Sequence, residues 1–272
     1  MNYVEYGKEN SDVIILLHGG GLSWWNYKEV AERLQTDYHV VLPILDGHAG
    51  CDKQFTTIEN NALDIIEFVN SKLGGSVLMM GGLSLGGQIL LEILSQRKDI
   101  CKYAIVESVL VIPSKFTYSM IKPAFGSCYG LIKYKWFSKL QFKSLRIKSN
   151  LFDEYYKDTC AIRKSDMIAF LQENSVYSLK DGIGECEATV QIYVGEKNDG
   201  MATVKFYNKY INLTNNNFIM NFIKDLATYT NKAYINIRDK ISGITKNNKE
   251  NSNYKESDFD KNINEFIKNN SK

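Results

Sequence analysis

The pentapeptide Gly82-Leu83-Ser84-Leu85-Gly86 sets a hydroxyl between small neighbours. It follows the apolar run Val77–Met80 and opens a stretch, Gly86–Ser95, that reads as helix. A serine on such a strand–turn–helix projects from the end of a sheet, because its small flanking residues let strand and helix approach without Cβ collisions. The helix N-terminus behind it favours developing negative charge. The chemistry this prepares is nucleophilic attack by Ser84 on an acyl carbon.

Attack of that kind needs donors for the oxyanion it creates, and two backbone N–H groups are the usual solution. Loss of one such donor raises the barrier by about 3 kcal/mol. The N–H of Leu85, just after the serine, supplies the first. His18-Gly19-Gly20-Gly21 supplies the second through Gly20, or Gly21 beside it, since glycine lets the main chain come close to a substrate. His18 reads as a structural residue packed behind this loop.

These loops need a scaffold that presents them at one edge. Val13–Leu17 is an unbroken aliphatic run entering the glycine loop, and it reads as a buried strand. Tyr27–Leu34 reads as helix and His39–Leu42 as a strand ending near Pro43. Thr56 with Glu59 forms a capping box before Ile58, Ala62, Ile65, Ile66, Val69 and Leu73 at helical spacing, closed by Gly74-Gly75. Tyr103–Val106 and Val190–Val194 add strands. Strands alternating with helices predict an α/β fold with a mostly parallel central sheet flanked by helices on both faces.

Residues 113–180 interrupt the alternation with a helical, aromatic stretch, read as a lid inserted into a core formed by 1–112 and 181–272. Lys133, Lys135, Lys139, Lys143, Arg146 and Lys148 lie in it without an acid among them. One reading is a solvated face whose aliphatic stems cover Trp136, Phe137 and Leu140. The other is an interfacial or anionic-substrate surface. From about residue 211 the composition turns Asn-rich and atypical; Tyr234–Ile237 is a candidate edge strand, Phe259–Ile267 a closing helix and Lys246–Lys255 a polar loop.

Composition narrows the function classes. Lys and Arg (33) nearly balance Asp and Glu (31), giving a net charge of +2, so nucleic acid is not an expected partner. No apolar run approaches a membrane span, the first residues carry neither a basic start nor an apolar core, and five scattered cysteines fit reduced thiols; a cytoplasmic location without stable membrane insertion is the expectation. Gly19-Gly20-Gly21 lacks dinucleotide-binding spacing and no metal-ligand cluster stands out, so no cofactor and no metal are expected.

Taken together, the strand entering His18-Gly19-Gly20-Gly21, the turn Asp46-Gly47-His48-Ala49-Gly50, the Ser84 turn and the insertion before Val190 resemble the α/β-hydrolase superfamily, in particular its small lidded esterase- and lipase-like members. The likeness spans roughly Asn2 to Tyr210. It implies serine-hydrolase chemistry on acyl esters, thioesters, amides or lactones, with a small-molecule acyl substrate and a triad in the order serine, acid, histidine. The family's acid sits three residues after the glycine that closes a late strand. Here that position is Asn198, and Asp199 one step on is the chosen acid, with Glu107 at the end of Tyr103–Val106 as the alternative. The implied histidine has no counterpart, because His18, His39 and His48 all precede Ser84. The resemblance implies that His48 orders its turn, and His39, opening a strand, reads as structural. Two functional readings stay open: a carboxylesterase- or lipase-type serine hydrolase, and a pseudo-hydrolase that binds a small apolar ligand without turnover.

Overall fold

The computed structural model describes residues 1–145 and 147–195 and the strand at 218–223. Seven described strands form one sheet: β1 (Asn2–Tyr6), β2 (Val13–Leu17), β3 (His39–Ile44), β4 (Val77–Leu83), β5 (Cys101–Glu107), β6 (Thr189–Gly195) and β7 (Phe218–Ile223). Their order is β1-β3-β2-β4-β5-β6-β7, with β1 antiparallel to β3 and every other pairing parallel. Three helices flank the sheet: α1 (Lys28–Leu34), α2 (Ile58–Lys72) and α3 (Leu85–Gln96). Four more fill the interval between β5 and β6, namely α4 (Lys115–Cys128), α5 (Lys135–Ser144), α6 (Phe152–Ala161) and α7 (Lys164–Val176).

Strand alternation builds two cores from one sheet. Ile15, Leu17, Met80, Ala104, Val106, Val190 and Ile192 face the layer holding Ile58, Ile65, Ile89 and Leu90 of α2 and α3. Ile14, Leu16, Val40, Leu42, Met79, Ile105 and Tyr193 face α1 through Val30, Ala31 and Leu34. Successive side chains point to opposite faces, so a central parallel strand covered on both sides must be apolar throughout. That is why Val13–Leu17 carries no polar residue.

Several boundaries differ from the sequence expectation, each for a local reason. The cap of α2 is Thr57, whose backbone is extended and whose hydroxyl accepts from the Asn60 N–H at 3.1 Å. Thr56 instead accepts from the Asn60 side chain, so the capping pair lies one residue later than Thr56 and Glu59. Strand β3 runs on through Pro43 to Ile44. The parallel ladder with β2 has already ended at Val41, so the missing proline N–H interrupts nothing on that side. Strands β1 and β7 went unrecognised in sequence: β1 is a short edge strand, mostly half-exposed, and β7 stands inside the Asn-rich stretch. Tyr234–Ile237, Lys246–Lys255 and Phe259–Ile267 lie outside the described residues.

The register decides where function can sit. Leu17 of β2 pairs with Gly82, Leu83 pairs with Glu107, and Glu107 pairs with Tyr193, so β2, β4, β5 and β6 end at one edge. From β2 the chain moves outward to β3 and then crosses to β4 on the other side. Such a switch in strand order opens a crevice beyond the carboxyl ends of the two diverging strands. The glycine loop leaves β2 and the Ser84 turn leaves β4 at that crevice.

Candidate active site

Ser84 sits between β4 and α3 at φ 50° and ψ −112°. An L-residue is held there only when its surroundings leave no other path, and such strain clusters at functional sites. The surroundings are visible in its neighbours. A Cβ on Gly82 would lie 2.4 Å from the Gly86 carbonyl oxygen, and one on Gly86 would lie 2.3 Å from that of Leu17. Both glycines are therefore required by close approach, and they pin the start of α3 against β2 and β4. The Ser84 N–H donates to the Glu107 carbonyl at 2.8 Å, and the Ser84 carbonyl accepts from Gln88. Its side chain is half-exposed and makes no hydrogen bond among the described residues.

The glycine loop meets this turn directly. A Cβ on Gly20 would lie 3.7 Å from that of Leu85. Neither the Gly20 nor the Leu85 N–H has an acceptor among the described residues, and the latter is one of the orphan donors of a helix first turn. The Gly21 N–H differs: it donates to His48 Nε2 at 3.0 Å. Of the two loop glycines expected as donors, Gly20 is the one whose N–H stays uncommitted.

The histidines are fully engaged in holding these loops. Nδ1 of His48 donates to the Asp46 carbonyl at 3.0 Å while Nε2 accepts from Gly21, which fixes one neutral tautomer. Nε2 of His18 accepts from the Leu45 N–H at 3.1 Å, so its Nδ1 is the donor to the Gly19 carbonyl at 2.9 Å. Burial pushes the His48 imidazole down to about 4 and that of His18 down to about 3, the latter helped by its neighbour, whose ring lies 4.9 Å away. His39, paired with Val13 at the opposite end of the sheet, bonds Glu5. These are all the histidines of the chain.

The two acid candidates separate. Glu107 ends β5, is 4% exposed, and neighbours Tyr193, whose phenol is pushed up by burial and by the Glu107 charge. The next residue, Ser108, also has positive φ, 50°, and its N–H donates to the Tyr193 carbonyl. Asp199 lies outside the described residues.

Three residues that sequence reading passed over hold the helices between β5 and β6 against the site. Phe170 of α7 stacks on His48, with ring centroids 4.7 Å apart, and comes within 3.2 Å of where a Gly20 Cβ would be. Asp166, 2% exposed, accepts from the Phe55 N–H at 3.0 Å and pairs with Arg163. Gln88 of α3, fully buried, donates to the carbonyls of Leu110 and Asn174 and accepts from the Asn174 amide. Only Gln88 carried a sequence signal, a polar residue within the otherwise apolar first two turns of α3.

The lysine-rich stretch behaves differently from the simpler expectation. Trp136 is 65% exposed and Leu140 is 64% exposed, so lysine stems do not cover them; only Phe137 is partly buried. The inner face of α5 is set by Phe142, which packs with Leu22, Trp25 and Tyr155 and leaves Trp136 on the outside.

A strained serine at the switch point of a parallel sheet, beside a glycine loop with a free N–H, defines an α/β scaffold of the hydrolase type. The chain belongs to the alpha/beta hydrolase family, whose model matches residues 14–180. No curated protein sequence matches it. Among solved structures, a thermophilic esterase from Thermogutta terrifontis superposes with a TM-score of 0.68 at 14% identity, covering 89% of this chain and 93% of its own. A lipase-esterase related protein from Clostridium acetobutylicum gives 0.63 at 17%, covering 89% and 98%. MenH from S. aureus gives 0.65 at 17%, covering 89% and 96%. At these identities the likeness is one of fold. Among the described residues no helix is long and apolar enough to cross a membrane, and no group of three or more His, Cys, Asp and Glu is placed to hold a metal ion.

Proposed function

We propose that the chain is a serine hydrolase of carboxylesterase or lipase type, acting on a small acyl ester, thioester or lactone. Ser84 attacks the acyl carbon, and the N–H groups of Gly20 and Leu85 receive the oxyanion. The helices between β5 and β6 serve as a lid whose Phe170 closes over Gly20. The observation that carries the reading is the strained backbone of Ser84 at the edge where β2 and β4 diverge. Asp199, a few positions past the end of β6, is the proposed acid, and Glu107 the alternative. The site takes no cofactor in this reading, and the protein acts in the cytoplasm.

The base is the departure. With His18 and His48 bonded through both ring nitrogens and His39 at the far end of the sheet, no imidazole is offered to Ser84. Catalysis then rests on the oxyanion donors and binding, which retain about 10³–10⁴-fold over water in serine hydrolases stripped of the triad. Fluorophosphonate should label Ser84 slowly and stoichiometrically, and p-nitrophenyl esters should turn over far below the rates usual for esterases. No label on Ser84 after prolonged incubation, read by mass spectrometry, rejects the reading.

The commitment of every histidine favours a second reading, a pseudo-hydrolase that binds a small apolar ligand without turnover. Its signature is a rise in melting temperature with an apolar acid or lactone and no release of product. Product accumulating with such a ligand would exclude it.

A further inference from the structure

We propose that the outer face of α5 is a docking surface for an anionic lipid membrane. Three observations converge on it. The first is charge: from Ser108 to Phe152 the sequence contains no Asp or Glu, while Lys recurs throughout. With a net charge of only +2, the chain holds its positive excess here and is net acidic elsewhere. The second is the pairing of those charges. Lys133, Lys135, Lys139 and Lys143 have no carboxylate partner among the described residues. Lys135 and Lys139 rest instead over the rings of Tyr156 and Phe152. The third is apolar exposure. Tyr134 (58%), Trp136 (65%) and Leu140 (64%) stand in solvent among these lysines.

Helical spacing makes one face of them. Trp136 and Leu140 are four apart, Lys139 and Lys143 likewise; Trp136, Leu140 and Lys143 lie opposite the buried Ser138 and Phe142, and Lys139 flanks them at the edge of the same exposed face. A soluble surface that only needed charge would not expose a tryptophan and a leucine at its centre. An acidic protein would pair with the lysines and leave the indole unused. A bilayer of anionic lipid uses both, since lysines sit at the headgroups while Trp and Leu enter the acyl boundary. The fold adds a consequence. Phe142, on the inner face of the same helix, packs on Leu22 and Trp25, the segment that leaves the glycine loop. A membrane on the outer face would thus lie one helix diameter, about 10 Å, from the wall of the crevice. The binding face is independent of whether Ser84 turns over.

The test is co-sedimentation of the full chain with vesicles of phosphatidylglycerol and phosphatidylcholine against phosphatidylcholine alone, with Trp fluorescence recorded in parallel. Binding to the anionic vesicles alone, weakened by salt, with a blue shift that Trp136→Phe removes without releasing the protein, is the expected result. Lys139→Glu with Lys143→Glu should lower the partition coefficient more than tenfold, since each basic residue near an anionic surface accounts for about fivefold. Trp136→Ser with Leu140→Ser should do so as well, while binding to soluble polyglutamate is unchanged. Absence of vesicle binding overturns the proposal. So does binding without a blue shift that polyglutamate matches, which would mark the face as a dock for an acidic protein.

Discussion

Ser84 holds its φ of 50° although a serine gains nothing from it locally. Such a conformation costs about 1–3 kcal/mol, and glycine adopts it freely at an unfolded-state cost of about 0.5–1 kcal/mol. Ser84→Gly should therefore raise the melting temperature while abolishing fluorophosphonate labelling, whereas Ser84→Ala should abolish labelling with little change in stability. An unchanged or lower melting temperature for the glycine variant would mean the turn stores no more strain than glycine loses in the unfolded state, about 0.5–1 kcal/mol. The histidines predict a pH dependence. The unfolded chain takes up protons as pH falls through about 6.5, while folded His48 resists until about 4 and His18 until about 3. Their contribution is full above 6.5 and is lost on acidification below it, by about 1.4 kcal/mol per pH unit for each histidine where only the unfolded state titrates. Urea unfolding between about pH 7 and pH 5 should show that slope, and His48→Gln should make it shallower. An identical slope in the variant would remove His48 from the account.

At the scale of elements, the close approach of α3 to β2 is what aims the serine. Gly86 has ordinary φ, so its requirement is steric: an added methyl meets the backbone carbonyl oxygens of Leu17, the last residue of β2, and of His18 beside it. Gly86→Ala should cost about 3 kcal/mol, the upper range for overpacking, and displace Ser84 from the Gly20 and Leu85 N–H groups. Gly74, at φ 77° with open space around it, gives the comparison, for alanine there should cost only about 1 kcal/mol from the dihedral. Equal urea midpoints for the two variants would show that the α3–β2 contact yields more easily than its geometry indicates. The capping shift from Thr56 to Thr57 belongs to this scale too. Two adjacent threonines offer the same hydroxyl, and the choice falls to the one whose extended backbone points it at the Asn60 N–H.

Across the whole molecule, the helices between β5 and β6 are fastened to the scaffold by buried polar contacts. Asp166 satisfies a buried N–H more than a hundred residues away in sequence, at Phe55. Removing it leaves that donor unpaired, which costs about 1–3 kcal/mol. Its ion pair with the half-exposed Arg163 adds little. Asp166→Ala should lower stability by that amount and raise protease sensitivity in α7, while Asp166→Asn, which keeps an acceptor, should recover most of it. Equal losses in both variants would mean that charge, and not the Phe55 bond, is what matters. Within this one interval Phe170 of α7 is pressed against Gly20 while Trp136 of α5 faces outward.

Local order in the chain determined a good part of this protein. The aliphatic run at Val13–Leu17, the glycine-flanked Ser84 and the alternation of strand and helix can each be satisfied by few conformations, so the α/β sheet and the serine turn were legible before any coordinates. The absence of a histidine after Ser84 was equally plain. Tertiary structure decided what depends on distance. It assigned the Gly21 N–H to His48 and left that of Gly20 open, and it brought Phe170 from α7 onto the glycine loop. It also exposed Trp136, which spacing alone left as buried or free. A hydrogen bond or a buried ring is specified by partners far away in the chain, and those partners meet only when the sheet has set its order.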